Sequence, residues 1–278
     1  MLDLGLYIVA TPIGRMQDIT LNALDILAAV DFVLCEDTRV TAKLLQHFNI
    51  NTKTVAFHKF NEVKSISSVL EKIKNGAAVA LVSDAGTPAI HDPGFKLVQE
   101  AQKNNIPIKA IPGASSLTAA LSIAGCDADQ FVFSGFLPSK KNELKTKLMQ
   151  IKELTQTVVC FESTHRLKNT LNAMLEFIPG ARSIVLCKEL TKIHEQTFCL
   201  TIKDIPKLID SINIKGEWVI IFKPYTHDLS ELSNYATKML ELLIPVCGIN
   251  NSVKITKEMT GESRSLLYEY ASKLKDEN

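Results

Sequence analysis

The alternation of short apolar runs with segments of helical period is the feature that most limits the fold of this chain. Runs rich in Val and Ile predict strands at 6–10, 32–35, 79–83 and 108–111. In the stretches between these runs, apolar residues recur at intervals of three and four, which predicts helices. Repeated strand–helix–strand units build a mainly parallel sheet with helices on both faces, so an α/β fold is predicted.

The pattern changes near residue 125 and again near residue 223. Strands are predicted at 131–134, 157–161, 183–187, 196–200 and 218–222, with helical periods only at 140–152, 166–177 and 204–211. Because strands outnumber helices there, a mixed sheet is predicted. Only helical periods follow, beginning at 229–243. We therefore expect an N-terminal α/β domain (1–125), a second domain of α+β or α/β type (126–223) and a small helical tail (224–278).

Composition and spacing exclude several classes of protein. The 278 residues are 46% hydrophobic, which is enough for two cores. The six Cys form no C-x-x-C pair and the six His have no metal-ligand spacing, so we expect neither a disulfide framework nor a metal site. Neither G-x-G-x-x-G nor G-x-x-x-x-G-K-[ST] is present. With no leader and no apolar run near the roughly 18 residues that cross a bilayer, a cytoplasmic protein without a membrane partner is expected.

The net charge of +1 hides an uneven distribution. Residues 1–125 hold 11 basic and 11 acidic side chains, residues 126–223 hold 14 and 11, and residues 224–278 hold 6 and 8. The positive excess therefore lies in the middle segment, where Lys140, Lys141 and Lys145 cluster beside a single acid, Glu143. A solvated helix face explains such a cluster, and so does a local contact with a polyanion.

Gly-, Pro- and polar-rich loops follow the predicted strands in both domains. In an open parallel sheet the strand ends that these loops follow lie at one edge, where ligands bind. Taken singly, each loop is an ordinary turn or helix cap; taken together, they predict a ligand cleft between two domains. The loops are 10–14, 36–39, 83–88 and 112–116 in the first domain, and 135–138, 162–166 and 188–192 in the second.

The segment 84–94 is longer and stiffer than a turn requires. Its eleven residues include two carboxylates, two Pro and two Gly. Loops of this kind usually hold a ligand. Asp84 is able to accept a hydrogen bond from a ribose hydroxyl or to sit near a cationic group, while Gly113, Ser115 and Ser116 at a helix start offer backbone N–H groups and hydroxyls.

Eight motifs in this order resemble those of one family. They are L-Y-I-V-A-T-P-I-G with Asp18-Ile19-Thr20, E-D-T-R, S-D-A-G-T-P-A-I-H-D-P-G, P-G-A-S-S, G-F-L-P, F-E-S-T-H-R, K-E-L-T-K with Glu195, and K-G-E ahead of the last strand. Across residues 6–222 the chain is similar to the bacterial 16S ribosomal RNA ribose methyltransferases, which belong to the tetrapyrrole-methylase-like, class III S-adenosylmethionine-dependent enzymes. The resemblance implies methyl transfer to the ribose 2′-oxygen of a decoding-region cytidine in the small ribosomal subunit. It also implies a homodimer of chains with two α/β domains and the donor bound in the cleft between them.

The resemblance further implies which residues hold the donor, S-adenosylmethionine. Phe161 and Glu162, on the opposite wall, are implied to complete the pocket. The positions that match the superfamily's donor loops are Pro12, Asp84, Ala85, Gly86, Thr87, Ile90, Ser115 and Ser116.

The acceptor imposes its own chemical requirement. A ribose hydroxyl is a poor nucleophile, so a base or a nearby cation is needed to help it lose its proton. The candidates are Lys188, Glu189 and Glu36, with Asp37 and His58 as further possibilities. We expect Lys188 or Glu189 to orient or activate the hydroxyl.

RNA contacts are expected at basic residues near the loops. Arg39 and Arg166 are predicted to contact phosphates, and Lys140, Lys141 and Lys145 to form the local basic face. The resemblance implies a helix-turn-helix-like tail, which is often basic in this family. The tail here holds 6 basic and 8 acidic residues, and this balance argues against its binding RNA. Two alternatives stay open: a methyltransferase of the same fold that acts on a small tetrapyrrole precursor, and a non-catalytic RNA-binding factor associated with the ribosome.

Overall fold

The structure is a computed structural model that describes residues 2–225, 232 and 234–276. These residues form two compact units. The first unit comprises residues up to 125 together with 186–198 and 216–219, and the second comprises 126–185, 199–215 and the residues from 220 onward. The segment 186–198 thus packs with the N-terminal residues, although it lies in the second predicted domain. The domain boundaries at 125 and 223 stay predictions.

The first sheet has five strands in the order β3-β2-β4-β1-β5, and its strand pairings are parallel. Residues of β2 and β4 are buried along their whole length, as the apolar runs predict for a sheet covered on both faces. The third strand has only three residues, too few for a strand pattern in the sequence. The strands are β1 (Gly5–Val9), β2 (Phe32–Cys35), β3 (Thr54–Ala56), β4 (Ala78–Leu81) and β5 (Ile108–Ile111).

Helices cover both faces of this sheet, because side chains along each strand alternate between two cores. Leu6, Leu34 and Leu81 pack against α3 and α4, whereas Tyr7 and Val33 pack on the other side with α1. The helices of this unit are α1 (Leu21–Ala29), α2 (Thr38–His47), α3 (Glu62–Lys74), α4 (Phe95–Lys103) and α5 (Ser116–Ile123).

The second sheet is mixed and has the order β6-β7-β10-β8-β9. β6 pairs in parallel with β7, and the register shifts between Phe133 and Phe136, where Gly135 has a φ of 63°. A residue without Cβ tolerates this left-handed conformation, so the bulge falls at Gly135. The strands are β6 (Phe131–Phe136), β7 (Thr157–Glu162), β8 (Ser183–Lys188), β9 (Gln196–Thr201) and β10 (Trp218–Phe222).

Five more helices complete the described chain. α6 (Lys141–Glu153), α7 (Thr164–Phe177) and α8 (Ile205–Ile209) lie close to the predicted helical segments, while α9 (Asn234–Thr260) and α10 (Arg264–Asp276) form the tail. The start of the predicted helix 229–243 lies partly outside the described residues. Within α9 the helical geometry breaks at Gly248, whose φ is 75°, so this element is two helices joined at a kink.

The two α/β sheets, one parallel and one mixed, confirm the predicted fold class. Among the described helices, none has the length and apolar character needed to span a bilayer.

Candidate functional site

The loops after β1 and β4 are joined to each other at the carboxyl edge of the first sheet. Thr11 and Gly86 form an antiparallel bridge, in which each backbone N–H donates to the other's carbonyl at 2.9 and 3.0 Å. The buried Thr11 hydroxyl also donates to the Ser83 carbonyl at 3.0 Å. The predicted donor residues Pro12 and Gly86 are therefore held in one rigid assembly.

The loop after β2 joins the same assembly through Asp84. The backbone N–H of Asp37 donates to Asp84 Oδ1 at 3.0 Å, whereas Oδ2 accepts no hydrogen bond from the described residues. Asp84 is exposed. One carboxylate oxygen is thus fixed by the protein while the other is available to a ligand.

A cavity of about 200 Å³ opens beside these loops. Pro12, Asp84 and Ala85, three of the residues predicted to hold the donor, line it. The first turns of α2 supply an apolar wall that the sequence analysis did not assign. The complete lining is Thr11, Pro12, Ile13, Gly14, Met16, Val40, Thr41, Leu44, Ser83, Asp84, Ala85 and Lys192.

The segment 84–94 adopts strained backbone conformations on either side of Ile90. Ala89 and His91 have φ values of 65° and 70°, a left-handed region that residues with a Cβ seldom adopt. Ile90 is left exposed between them. The loop is held at its end by Glu62, whose Oε1 accepts from the Gly94 N–H at 3.1 Å. Backbone strain of this kind is typical of ligand-binding loops.

Asp92, in the same loop, is a residue that the sequence analysis did not single out. Burial, together with the negative charge of Glu36, raises the pKa of its carboxyl to about 6. A hydrogen bond with Ser83 acts in the opposite direction. Glu36 and Asp92 therefore lie close enough to interact, and the candidate base Glu36 belongs to a small group of carboxylates at this edge.

The 112–116 loop lies beside the same strand ends. The Thr87 hydroxyl donates to the Ala114 carbonyl at 3.4 Å. A Cβ built on Gly113 would approach the Ala10 Cβ to 3.0 Å, so the backbone of this loop passes very close to the end of β1. Ser115 and Ser116 are half-buried at the start of α5. The structure thus brings these predicted donor residues to the same edge as Pro12 and Asp84.

The loop 188–195 belongs to the first unit and approaches the 11–14 loop closely. A Cβ on Gly14 would lie 2.4 Å from Thr191 Oγ1 and 2.7 Å from Lys192 Cγ. The Arg15 N–H donates to Thr191 Oγ1 at 3.4 Å. Only glycine permits this approach at position 14.

Glu189 makes several contacts that hold the 188–195 loop. Its Oε1 accepts from the Glu217 N–H at 2.8 Å and from Lys192 Nζ at 3.0 Å. Although burial raises the pKa of Glu189, these hydrogen bonds and the nearby lysines keep it below its ordinary value. Lys188 is buried, with Nζ 5.7 Å from the centre of the Trp218 ring. Both candidates for activating the hydroxyl are thus fixed by neighbours, and their catalytic assignment stays a prediction.

In the second unit, Glu162 is buried and fully hydrogen-bonded. Its Oε1 accepts from the Ser163 N–H at 2.7 Å and pairs with Arg166 at 2.8 Å, while Oε2 accepts from Thr170 at 2.6 Å. Arg166 also donates to the Leu137 carbonyl at 3.0 Å. The described contacts of Glu162 and Arg166 are therefore those of a structural brace, and their predicted roles toward donor and RNA stay untested. Phe161 packs edge-on against two phenylalanines, Phe133 and Phe136.

The predicted RNA contacts are exposed basic residues in both units. Arg39 is 86% exposed and forms a bidentate ion pair with Asp37, whose pKa is lowered to about 2 by hydrogen bonds from Arg39. Lys140, Lys141 and Lys145 are exposed at the start of α6. Exposed ion pairs contribute little to stability, so Arg39 can exchange Asp37 for a phosphate at small cost.

Comparison with known proteins defines the class of this site. The family model for "Tetrapyrrole (Corrin/Porphyrin) Methylases" matches residues 5–206. "Ribosomal RNA small subunit methyltransferase I" of Haemophilus influenzae is 41% identical over 269 residues, which cover 95% of each chain. The protein with the same name from Escherichia coli O157:H7 is 38% identical and covers 96% of this chain and 94% of its own.

Solved structures share the fold at low identity. The methyltransferase CobJ has a TM-score of 0.59 at 16% identity, covering 79% of this chain and 94% of its own. Uroporphyrin-III C-methyltransferase from Thermus thermophilus, solved with S-adenosylhomocysteine, has a TM-score of 0.54 at 16% identity, covering 79% and 97%. Fold, site loops and family model define a methylase of the tetrapyrrole methylase class. Within that class, the chain belongs to the ribosomal RNA small subunit methyltransferase I family.

Proposed function

We propose that this protein transfers a methyl group from S-adenosylmethionine to the ribose 2′-oxygen of a decoding-region cytidine in 16S ribosomal RNA, and that it works as a homodimer. The broader assignment, a small-subunit ribosomal RNA methyltransferase that uses S-adenosylmethionine, follows from its family. The observation that carries the proposal is the joined set of loops at the carboxyl edge of the first sheet, where Thr11, Gly86 and Asp84 are locked together.

The residues at this edge fit the proposed donor chemically. Asp84 keeps one carboxylate oxygen for a ribose hydroxyl, and Ser115 and Ser116 add polar groups beside the glycine backbone of the 112–116 loop. Gly86 has a φ of 83°, a conformation that favours glycine, and Gly113 lets the 112–116 loop pass close to the end of β1, so both glycines help to fix the loops at this edge. When bound, the donor supplies an electrophilic methyl group on a sulfonium sulfur.

The protein's contribution to the reaction is chiefly to fix the acceptor and assist its deprotonation. Precise placement of reacting groups supplies a large share of the rate in such transfers. We propose that the cation of Lys188 lowers the cost of forming the 2′-oxyanion, and that Glu189 positions this lysine by holding the 188–195 loop. Glu36 is proposed to take the proton, because it belongs to the carboxylate group that includes Asp92.

RNA is proposed to be held by local charge. Arg39, next to the Asp84 loop, contacts a phosphate after release from Asp37, and the exposed lysines of α6 also contact RNA phosphates. We also propose that Phe161 and Glu162 contact the donor and that Arg166 contacts an RNA phosphate. Substituting each residue singly and measuring donor and RNA binding separates these roles.

The test is methyl transfer in vitro. Purified protein, labelled S-adenosylmethionine and small subunits from cells that lack the protein are expected to give one labelled 2′-O-methylcytidine. Asp84→Ala is expected to weaken donor binding, measured by calorimetry, whereas Asp25→Ala, at an exposed position on α1 outside the site, leaves it unchanged. The proposal would be contradicted if the labelled methyl group were found on an RNA base, or if only tetrapyrrole precursors became labelled. It would also be contradicted if the wild-type protein did not bind the donor.

A further inference from the structure

Helix α2 lies between two cavities of the first unit. On one side, Val40 and Leu44 line the cavity beside the 83–88 loop. On the other side is a second cavity of about 320 Å³, a volume in the range of small-molecule sites. An extended ligand at the carboxyl edge of the first sheet therefore reaches this second cavity by crossing a single helix. We call it the amide cavity, and its lining is Ala42, Leu45, Gln46, Asn49, Ile50, Asn51, Thr52 and Thr54.

The lining of the amide cavity is rich in hydrogen-bonding groups and carries no charge. Gln46, Asn49 and Asn51 supply three exposed side-chain amides, each with two donor hydrogens and an acceptor oxygen. Leu45 and Ile50 add apolar surface beside them. Such a lining suits a neutral ligand that has an apolar face and hydrogen-bonding edges, and it suits neither a phosphate group nor a metal ion.

The segment that forms the amide cavity carries positive charge and no negative charge. Residues 38–61 contain four Lys or Arg and no Asp or Glu. Arg39 and Lys43 are four residues apart, so they lie on one exposed face of α2, and the exposed Lys53 lies between two residues of the lining. Lys43 and Lys53 form no ion pair with any residue that the structure describes. A line of cations thus runs from the carboxyl edge of the sheet to the amide cavity.

A single strand of RNA matches this arrangement. Its phosphates attract cations, and its unpaired bases present flat faces and edges that Asn and Gln side chains recognise. A base within a double helix cannot enter a cavity, because its edge is paired and its faces are stacked. A free nucleotide needs a cation at its phosphate, and none of the lining residues is charged.

We propose that the amide cavity binds an unpaired base of the ribosomal RNA close to the acceptor nucleotide, while Arg39, Lys43 and Lys53 hold the phosphates of the strand that crosses α2. This inference deepens the proposed function and rests on ribosomal RNA being the substrate. Gln46 and Asn51 donate to and accept from the edge of the base. Recognition of a second nucleotide allows the enzyme to select one cytidine among many that present the same ribose hydroxyl.

Removal of the amides tests the cavity. Gln46→Ala with Asn51→Ala is expected to raise KM for small subunits from cells that lack the protein about tenfold, the size of effect expected for a pair of hydrogen bonds to a base. The turnover number and the affinity for S-adenosylmethionine are expected to stay unchanged, because neither residue lines the cavity beside the 83–88 loop. Gln99→Ala with Gln102→Ala removes two exposed amides from α4 and is the matched control.

The salt dependence of KM tests the phosphate contact. Lys43→Ala is expected to raise KM and to lower the slope of log KM against log salt concentration by about one, because one fewer counterion is released on binding. Lys64→Ala, at an exposed position on α3, is expected to leave both quantities unchanged.

Ultraviolet cross-linking identifies what occupies the amide cavity. Trypsin cleaves after Lys43 and Lys53, so a single peptide, residues 44–53, carries most of the lining. In complexes of the wild-type protein with small subunits, mass spectrometry is expected to find this peptide joined to a ribonucleotide. The yield of that adduct is expected to fall in the variant with Gln46→Ala and Asn51→Ala.

Three results would overturn the inference: no ribonucleotide on the 44–53 peptide, a ribosomal protein joined to it instead, or an unchanged KM in the variant that lacks both amides. Methyl transfer by the wild type is measured on the same small subunits. Its absence would count against the proposed function, whereas normal transfer with an unchanged KM in the variant would count against the amide cavity alone.

Discussion

At the scale of single residues, Asp92 links stability to pH. Burial raises its pKa from 3.8 to about 6, so between these values the folded chain holds a proton that the unfolded chain has released. Stability from this residue is therefore full below about pH 4 and declines as the pH rises toward 6.

Asp92→Asn should remove the loss of stability that accompanies ionisation of this carboxyl. At pH 7 the free energy of unfolding is expected to rise by about 1 kcal/mol, a value reduced for solvent screening of a half-buried group. Urea denaturation at pH 4 and pH 7 measures the difference, with the exposed Asp25→Asn as the control. An equal effect of Asp92→Asn at both pH values would show that the carboxyl titrates normally.

Glu162 provides a second test at this scale. Because its carboxylate is buried and paired with Arg166, Glu162→Ala leaves a partly buried guanidinium and the Thr170 hydroxyl without their partner. The free energy of unfolding is expected to fall by about 3 kcal/mol. Denaturation and calorimetric titration with the donor are measured on the same variant. Unchanged stability with lost donor affinity would favour a donor ligand over a brace.

At the scale of elements, the approach of the 188–195 loop to Gly14 is the feature most open to test. Gly14→Ala places a Cβ within 2.4 Å of Thr191 Oγ1, so the loop must move. Methyl transfer is expected to fall about tenfold or more, since small misplacements at an active site are costly. Gly180→Ala, whose nearest neighbour would be 3.6 Å away, is the matched control. Equal rates for both variants would contradict the positioning role of the loop.

Strands and the positions of their loops could be predicted from the sequence, whereas contacts between distant segments could not. Strands such as β2 and β10 are continuous apolar runs, so the local sequence pattern predicts them. The loops at the sheet edge come directly after these strands and can be predicted from their positions. The contact between Gly14 and Thr191 spans more than 170 residues, and no local pattern reports it. The pairing of Glu162 with Arg166 has helix-like i,i+4 spacing, a signal that could have indicated a brace.

At the scale of the whole molecule, charge sets the mode of RNA binding. With a net charge of +1 and a local basic cluster, weak binding to free RNA and a shallow salt dependence are expected. Changing Lys140, Lys141 and Lys145 together to Glu should raise KM for small subunits without altering donor affinity. The exposed Lys64, Lys74 and Lys96 changed in the same way serve as a charge-matched control. A steep salt dependence on free RNA would contradict this account.

We propose that the protein places one 2′-O-methyl group on a cytidine of small-subunit RNA. Mass spectrometry of that RNA, from cells with the protein and from cells without it, tests the claim most directly. A single 2′-O-methylcytidine is expected to disappear with the protein, to return with the wild-type chain, and not to return with Asp84→Ala. An unchanged methylation map in cells without the protein would contradict it.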